Sequence, residues 1–282
     1  MDFVCGSLNA LEYLSENEVD VVVSDVRMPE LDGAVFLTEV ARLYPSVVRL
    51  VLSGQAEKEK IFSLVGIAHQ YFAKPFSADR LYSAITNIQS RRFDLGDEKT
   101  VCWINQLPVV PVDLRIFGEM REALDCGRCD ISKLAEILQK DPGLATRVLQ
   151  LVNSCYFGPQ VKGCSLEKAC ELLGTDIIKD LSSRTMLFTA MPWVSRSDDD
   201  GLDATVEIGR RVCAGNSDHD SGNQPPDENR FRAAGEYLLE LWGIVLPEGF
   251  ELLEPEPEPA SGGMISPQVE WQAGRTSRQT TV

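Results

Sequence analysis

The sequence predicts two folds in one chain of 282 residues, an α/β region with a parallel sheet and then an all-helical region. Short β-branched or apolar runs at 19–24, 47–52 and 70–73 alternate with helical patterns in the first part. After Leu107 the strand patterns stop, and helical patterns follow one another. Alternating strands and helices favour a parallel sheet covered on both faces, whereas successive helices favour a separate all-α domain.

Each strand pattern ends close to a polar residue. Val21-Val22-Val23 leads to Asp25, and such a β-branched run is typical of a strand buried on both faces of a sheet. The run 47–52 is a second buried strand that Ser53-Gly54 closes, and 70–73 is a short third strand. The accompanying helical patterns cover 34–43, 58–67 and 78–89.

The helical region carries recognisable start and stop signals. Asp130 and Thr175 are expected N-caps, Gly174 is an expected C-terminal stop, and Pro142 stands where a first helical turn tolerates proline. A short amphipathic pattern follows much later in the chain. The predicted helices are 114–124, 131–140, 144–152, 166–173, 175–190 and 231–242.

Composition shifts suggest the domain boundaries. We expect the α/β domain at 1–92, a linker at 93–106 and the helical domain at 107–246. Residues 195–230 are rich in Asp, Gly, Asn and Pro, which predicts a disordered, exposed insert. The Glu-Pro alternation and polar residues of 247–282 predict a disordered tail, because they bury too little apolar surface to fold.

The charge balance bears on the class of partner. The chain has 43 acidic and 27 basic residues, for a formal net charge of −16. A surface that acidic repels phosphate backbones and anionic lipid. We therefore expect neither a nucleic-acid binder nor a membrane-surface protein.

No signal peptide or membrane-spanning run is recognisable, so we expect a cytoplasmic protein without membrane insertion. Eight cysteines in a chain of this length are too sparse for a secreted disulfide framework. Cys126 and Cys129 have the spacing of half a zinc site, but no second pair with that spacing exists. Ordinary reduced thiols are the better interpretation.

The strand ends suggest a phosphoryl-transfer site. Asp25 stands at the carboxyl end of a buried strand, where open α/β sheets place their chemistry, and a carboxylate there can hold a phosphoryl group as an acyl phosphate. Ser53 offers a hydroxyl to a phosphoryl oxygen, and Lys74 offers a positive charge. Pro75 suggests a cis peptide bond that turns the lysine toward the site.

Three motifs in order, Asp25 with Met28-Pro29-x-x-Asp32-Gly33, Ser53-Gly54, and Lys74-Pro75-Phe76, closely resemble the receiver domain of two-component response regulators. The resemblance implies a flavodoxin-like parallel sheet and phosphorylation of Asp25 by a sensor histidine kinase. It also implies that Ser53 and Tyr71 act as a switch pair, although a tyrosine in such a place is often only part of the core.

One departure from that family concerns its metal site. Family members have an earlier strand whose terminal acidic pair holds Mg²⁺ together with the residues that match Asp25 and the backbone carbonyl of Arg27. This chain opens at what resembles the second strand, Phe3–Cys5, so the metal site and the sheet interior are incomplete. Two explanations stay open: the true start lies upstream of Met1, or the domain is degenerate.

The helical region resembles the HDOD domain, a non-catalytic relative of the HD phosphohydrolases. The likeness rests on Asp141-Pro142-Gly143-Leu144, Val152-Asn153-Ser154, Phe157-Gly158 and Leu173-Gly174, with a later echo at 234–243. The block that the family has between these parts is not recognisable. We therefore expect an HDOD domain that is either incomplete or rearranged and that serves as a protein-interaction output.

These features together predict a response regulator in which Asp25 controls an HDOD output whose downstream partner the sequence does not name. One alternative is an HD-type cyclic-dinucleotide phosphodiesterase. His219-Asp220 spells the relevant dipeptide, but it lies in a polar segment without a partner histidine nearby. Another alternative is a scaffold that acts without phosphorylation.

Overall fold

The computed structural model describes residues 1–28, 31–54, 64, 66–107, 110–126, 129–153, 163–183, 203–214 and 228–253. The α/β part contains α1 (Ser7–Glu16), β1 (Val21–Asp25), α2 (Gly33–Leu43), β2 (Val48–Ser53), β3 (Gln70–Ala73) and α3 (Ala78–Leu95). The helical part contains α4 (Glu98–Gln106), α5 (Leu114–Asp125), α6 (Ile131–Gln139), α7 (Pro142–Asn153), α8 (Leu166–Leu173), α9 (Thr175–Ser183), α10 (Ala204–Ala214) and α11 (Glu228–Leu241). The predicted fold class is confirmed. No helix within these ranges is long and apolar enough to cross a membrane.

The sheet is parallel, and its described strands lie in the order β1-β2-β3. Asp25 pairs in register with Leu52, and Ser53 pairs with Ala73. All three predicted strands are therefore confirmed to within two residues at each end. Because parallel strands end at one edge, the polar residues that close β1, β2 and β3 lie along the same edge of the sheet.

The two faces of the sheet belong to two hydrophobic clusters. On one face, Val51 packs with Phe36, Leu37 and Val40 of α2 and with Leu14 of α1. On the other face, residues of β2, β3 and α3 share one continuous cluster with the helical part. That cluster includes Val48, Leu50, Phe72, Leu81, Ile88, Ile104, Leu149, Tyr237 and Trp242. The two predicted domains therefore share a core.

The segment 93–106, which we expected to be a linker, is mostly helical. Gly96 adopts φ +63° and ends α3, and the Asp97 side chain then accepts hydrogen bonds from the backbone of Lys99 and Thr100 to start α4. Val101 and Ile104 are buried. Their spacing gives α4 an apolar face, so the segment packs against the core rather than spanning open space.

The expectation of an exposed insert over 195–230 is wrong for its described part, because α10 lies within it and is largely buried. A Cβ on Gly209 would lie 1.7 Å from the Phe231 carbonyl oxygen of α11. A Cβ on Gly235 would lie 2.0 Å from the Thr205 carbonyl oxygen of α10. Glycine, which contributed to the loop prediction, permits the close approach of two helix backbones at these positions.

The expected disordered tail begins with an ordered stretch. Leu252 is buried, and the Leu253 backbone N–H donates to the Gln139 carbonyl oxygen at 3.1 Å. The Gln139 side-chain amide donates in return to the Glu251 carbonyl oxygen at 2.6 Å. A few apolar residues and a reciprocal pair of hydrogen bonds thus dock 251–253 on the end of α6, while 254–282 lie outside the described residues.

Two further expectations concern local elements. Phe3–Cys5 is exposed and forms no strand, since no described strand lies beside it to complete a hydrogen-bonded ladder. Most of the predicted helix 58–67 lies outside the described residues. Gly174, with φ +76°, ends α8 as expected. Its carbonyl oxygen also accepts from the Ile178 N–H, so Gly174 is the N-cap of α9, the position that was predicted for Thr175.

Candidate functional site

The carboxylate of Asp25 lies at the carboxyl edge of the sheet and forms an ion pair with Lys74. About a third of each side chain is exposed, 32% for Asp25 and 39% for Lys74. Solvent can therefore reach the ion pair, although Asp25 ends β1 and Lys74 directly follows β3. The structure brings together these two residues, which are 49 positions apart in the sequence.

The backbone around Lys74 fixes the position of the lysine. Its N–H donates to the Ser53 carbonyl oxygen at 2.8 Å, which extends the ladder between β2 and β3 by one step. The Lys74–Pro75 peptide bond is cis, as the sequence suggests. A backbone hydrogen bond thus holds Lys74 beside Ser53, the last residue of β2.

The loop after β1 depends on Gly33. Its N–H donates to the Val26 carbonyl oxygen at 2.9 Å, and a Cβ there would lie only 1.9 Å from the Asp25 carbonyl oxygen. Asp32 caps α2 by accepting from the Ala34 N–H at 3.0 Å. The Asp-Gly pair of the motif therefore folds the loop tightly against Asp25, whereas Pro29 lies outside the described residues.

Ser53 closes β2, and Tyr71 lies on β3, where it pairs in register with Val51, two residues before Ser53. Ser53 is buried, and its hydroxyl donates to the Gly54 carbonyl oxygen at 3.2 Å. Tyr71 is half-buried against the cluster that contains Val51, and its hydroxyl donates to the Leu64 carbonyl oxygen at 2.7 Å. The ring is thus held by packing and by a hydrogen bond, and its role as a switch stays a prediction.

The described residues do not by themselves fit a Mg²⁺ ion. The Asp25 carboxylate and the Arg27 carbonyl supply two oxygen donors, whereas Mg²⁺ demands near-octahedral coordination, about six ligands. One Asp25 oxygen pairs with Lys74, and the other accepts from the Arg27 N–H at 3.3 Å. Over the described part of the chain, no group of three His, Cys, Asp or Glu side chains is arranged to hold a metal.

Asp141, the aspartate of the helical motif, is buried and makes structural contacts. It accepts from the Leu144 N–H at 2.9 Å, which caps α7, and from the Asp113 N–H at 2.9 Å. It also pairs with Arg211 of α10. Gly143 follows in the motif because a Cβ there would lie 2.7 Å from the Pro111 carbonyl oxygen.

The other candidate metal residues lie in or next to segments outside the described residues. Cys126 is exposed and Cys129 is half-buried, and burial raises the pKa of the Cys129 thiol, which disfavours the thiolate that binds metal. Gly127 and Arg128 between them lie outside the described residues, as do His219-Asp220.

A set of buried polar residues at the opposite edge of the sheet was not predicted from the sequence. Arg49 and His69 lie at the amino ends of β2 and β3 and contact Asn105 of α4. Burial, followed by the nearby Arg49 charge, holds the pKa of His69 well below its usual range, and burial lowers the pKa of Arg49 to about 10. The sequence signal that could have indicated this set is Arg49, a charged residue inside the apolar run 47–52.

Two family models match separate parts of the chain. Residues 2–86 match the family described as response regulator receiver domain, and residues 108–204 match the HDOD domain family. The hydrogenase transcriptional regulatory protein HoxA of Cupriavidus necator is 39% identical over 84 residues, which make up 29% of this chain and 17% of that protein. The sensor kinase CckA of Brucella abortus is 35% identical over 90 residues, or 31% of this chain and 10% of that protein.

A crystal structure of a response regulator receiver domain protein from Clostridium thermocellum is 31% identical. The match covers 31% of this chain and 71% of that chain, with a TM-score of 0.29. The matches thus span only a small part of the length of these curated relatives. The chain therefore contains a response regulator receiver domain, which carries Asp25, Ser53 and Lys74, followed by an HDOD domain.

Proposed function

We propose that this protein is a response regulator of a two-component phosphorelay, in which the phosphorylation of Asp25 controls the HDOD domain. The observation that carries the proposal is the ion pair between Asp25 and Lys74 at the carboxyl edge of the sheet, beside the end of the strand that closes with Ser53. Receiver domains are phosphorylated by sensor histidine kinases, so such a kinase is the proposed phosphodonor. The cytoplasm is the location that this proposed reaction requires.

In the proposed reaction, an oxygen of the Asp25 carboxylate attacks the phosphorus of a phosphohistidine. The new O–P bond forms as the P–N bond breaks, and the histidine nitrogen leaves with the electron pair of that bond. Lys74, already paired with the carboxylate, balances charge on the transferred phosphoryl oxygens, and Ser53 donates a hydrogen bond to one of them. Receiver domains use Mg²⁺ for added charge neutralisation, but the described donors alone do not hold it.

We propose that the HDOD domain acts by binding other proteins rather than by hydrolysis. The support is that Asp141, the acidic residue of its motif, is buried and engaged by a helix cap and by Arg211. It is not available to a metal or a substrate. Stoichiometric iron or manganese in the purified protein would contradict this proposal and favour a phosphodiesterase.

Labelling with a phosphorylated kinase and with a small-molecule phosphodonor tests the proposed function. The wild-type chain should form an acid-stable but base-labile acyl phosphate, detected by intact mass, and Asp25→Asn should abolish it. Asp94→Asn is the matched control, because Asp94 is an exposed residue on α3 whose contact with Arg91 spans 3.9 Å. Equal labelling of all three proteins would reject Asp25 as the phosphoacceptor, and labelling of none would favour a scaffold that acts without phosphorylation.

A further inference from the structure

A groove on the helical domain is filled by a segment of the chain itself. Its walls are α6 and the first turn of α8, and residues 247–253, which follow α11, lie in it. We call these the α6–α8 groove and the docked segment. A cavity of about 440 Å³ lies between them. The groove residues that line this cavity are Ser132, Ala135, Glu136, Gln139 and 165–167.

The docked segment begins with a tight turn and continues with two apolar anchors. The Phe250 backbone N–H donates to the Pro247 carbonyl oxygen at 3.1 Å, and Gly249 adopts φ +71°. After this turn, Phe250 packs against the hydrophobic cluster of the helical part, and Leu252 is 2% exposed. The segment is therefore held by an aromatic residue and by an aliphatic residue two positions later.

One residue of the groove, Gln139, binds the backbone of the docked segment in both directions. Its carbonyl oxygen accepts from the Leu253 N–H at 3.1 Å, and its side-chain amide donates to the Glu251 carbonyl oxygen at 2.6 Å. These bonds involve only backbone groups of the segment, so they are open to any polypeptide that lies in the same place. The groove is thus built to bind a peptide, and the docked segment is the occupant that the structure shows.

The charges around the cavity do not complement the docked segment. Glu136 and Glu167 line the cavity from the groove, and Glu248 lines it from the segment, whereas none of the described residues that line it is basic. The Glu167 carboxylate accepts from the Ser132 hydroxyl, which holds it beside α6. Like charges around one cavity repel each other, so a segment with a basic residue in the place of Glu248 fits the groove better.

We infer that the α6–α8 groove is the surface through which the helical domain binds other proteins. The partner is a segment that has a basic residue, an aromatic residue two positions later and an aliphatic residue after two more. The inference rests on the proposed function, because it names the binding surface of an HDOD domain that acts by protein binding. The docked segment has the two apolar anchors, but Glu248 takes the place of the basic residue, so it is a weaker competitor for the groove.

The test follows the fluorescence anisotropy of a labelled peptide with the sequence of 245–253 as full-length protein is added. The change Phe250→Asp with Leu252→Asp places charges on both anchors of the docked segment and so opens the groove. The peptide should bind this opened variant at least about tenfold more tightly than the wild type, whose own segment competes at a high effective concentration. Gln139→Ala in the opened variant should weaken binding, because it removes the donor to the peptide backbone.

Charge reversals in the peptide test the chemistry of the partner. A peptide with Glu248→Lys should bind the opened variant about threefold or more tightly at low salt, because the lysine meets two carboxylates of the groove. A peptide with Glu251→Lys is the matched control, since Glu251 is exposed and lies outside the cavity lining but the change in net charge is the same. Glu136→Gln in the protein should reduce the advantage of the Glu248→Lys peptide.

Equal affinities of the two lysine peptides would overturn the proposed partner, because the attraction would then come from the acidic surface as a whole. Binding that is equally tight for the wild type and the opened variant, or absent from both, would overturn the groove. If the opened variant unfolds, Gly249→Val replaces it, since a β-branched side chain strains the turn at φ +71°. No phosphodonor is present, so a failure of Asp25 phosphorylation leaves the result unchanged, and the two proposals fail separately.

Discussion

Arg211 of α10 forms an ion pair with Asp141 at the start of α7, with 2.5 Å between Nη1 and Oδ2. The two side chains are 2% and 0% exposed. Arg211 also contacts Glu207 at 3.0 Å and donates to the Pro111 carbonyl oxygen at 3.1 Å. One arginine thus ties the segment before α5, the first turn of α7 and the distant helix α10 into a single core.

Replacement of Asp141 by Ala should cost about 3–5 kcal/mol of unfolding free energy, because it leaves the buried Arg211 charge without its main partner and uncaps α7. Urea denaturation of the two proteins measures the difference. Asp125→Ala removes an exposed pair with Lys179 and should change the midpoint little. Equal midpoints for Asp141→Ala and the wild type would show that Arg211 does not depend on this partner.

Gly209→Ala should severely destabilise the helical domain, because the new methyl group would lie 1.7 Å from the Phe231 carbonyl oxygen and force α10 and α11 apart. Gly118→Ala is the matched control, since Gly118 lies inside α5 and a methyl group added there would meet nothing within 4 Å. That control should gain up to about 1 kcal/mol from better helix propensity. Thermal unfolding of both variants gives the comparison, and a stable Gly209→Ala protein would argue against the close crossing.

Local signals were sufficient to predict most of the receiver. The β-branched run before Asp25 and the apolar run before Ser53 specify buried strands by themselves, and the parallel arrangement then brings Asp25 and Lys74 together. Asp130 illustrates the same point in the helical region, because its side chain accepts from Ser132 and starts α6 as predicted.

Features that depend on distant parts of the chain were missed. The burial of α10 requires Gly209 to meet Phe231, and composition alone assigns such a glycine to a loop. The burial of Arg49 and His69 could not be predicted locally, because it depends on hydrogen bonds to the distant Asn105. Phe3–Cys5 has the residues of a strand, but a strand needs a neighbour to form its hydrogen bonds.

The stability of the protein should fall as the pH is lowered below about 6.5, because His69 is held neutral in the folded state. The folded pKa is depressed, so the unfolded chain binds more protons at low pH, and the stabilisation present above 6.5 is lost as the pH falls toward the folded value. The Arg49 guanidinium faces the ring, and the Asn105 carbonyl accepts from it.

The contribution of one proton approaches about 1.4 kcal/mol per pH unit. The free energy of unfolding, obtained from urea denaturation between about pH 7.5 and 5, should fall with this slope in the wild type. In His69→Gln, the part of the slope that comes from His69 should be absent. An unchanged slope in His69→Gln would mean that other groups cause the acid sensitivity.

Lys74→Met should slow the phosphorylation of Asp25 by at least about tenfold while changing stability little. The ion pair is about one-third exposed, so its net contribution to folding is small, whereas the lysine charge lies directly against the carboxylate that would carry the phosphoryl group. Lys168→Met, which removes an exposed pair with Glu171, controls for the loss of one surface charge. The rate of acyl phosphate formation from a small-molecule donor gives the readout, because it does not require recognition by a kinase. If Lys74→Met and Lys168→Met react at the same rate, then the charge that stabilises the transferred group comes from elsewhere, and the ion pair with Asp25 serves only to join the end of β3 to the end of β1 across β2.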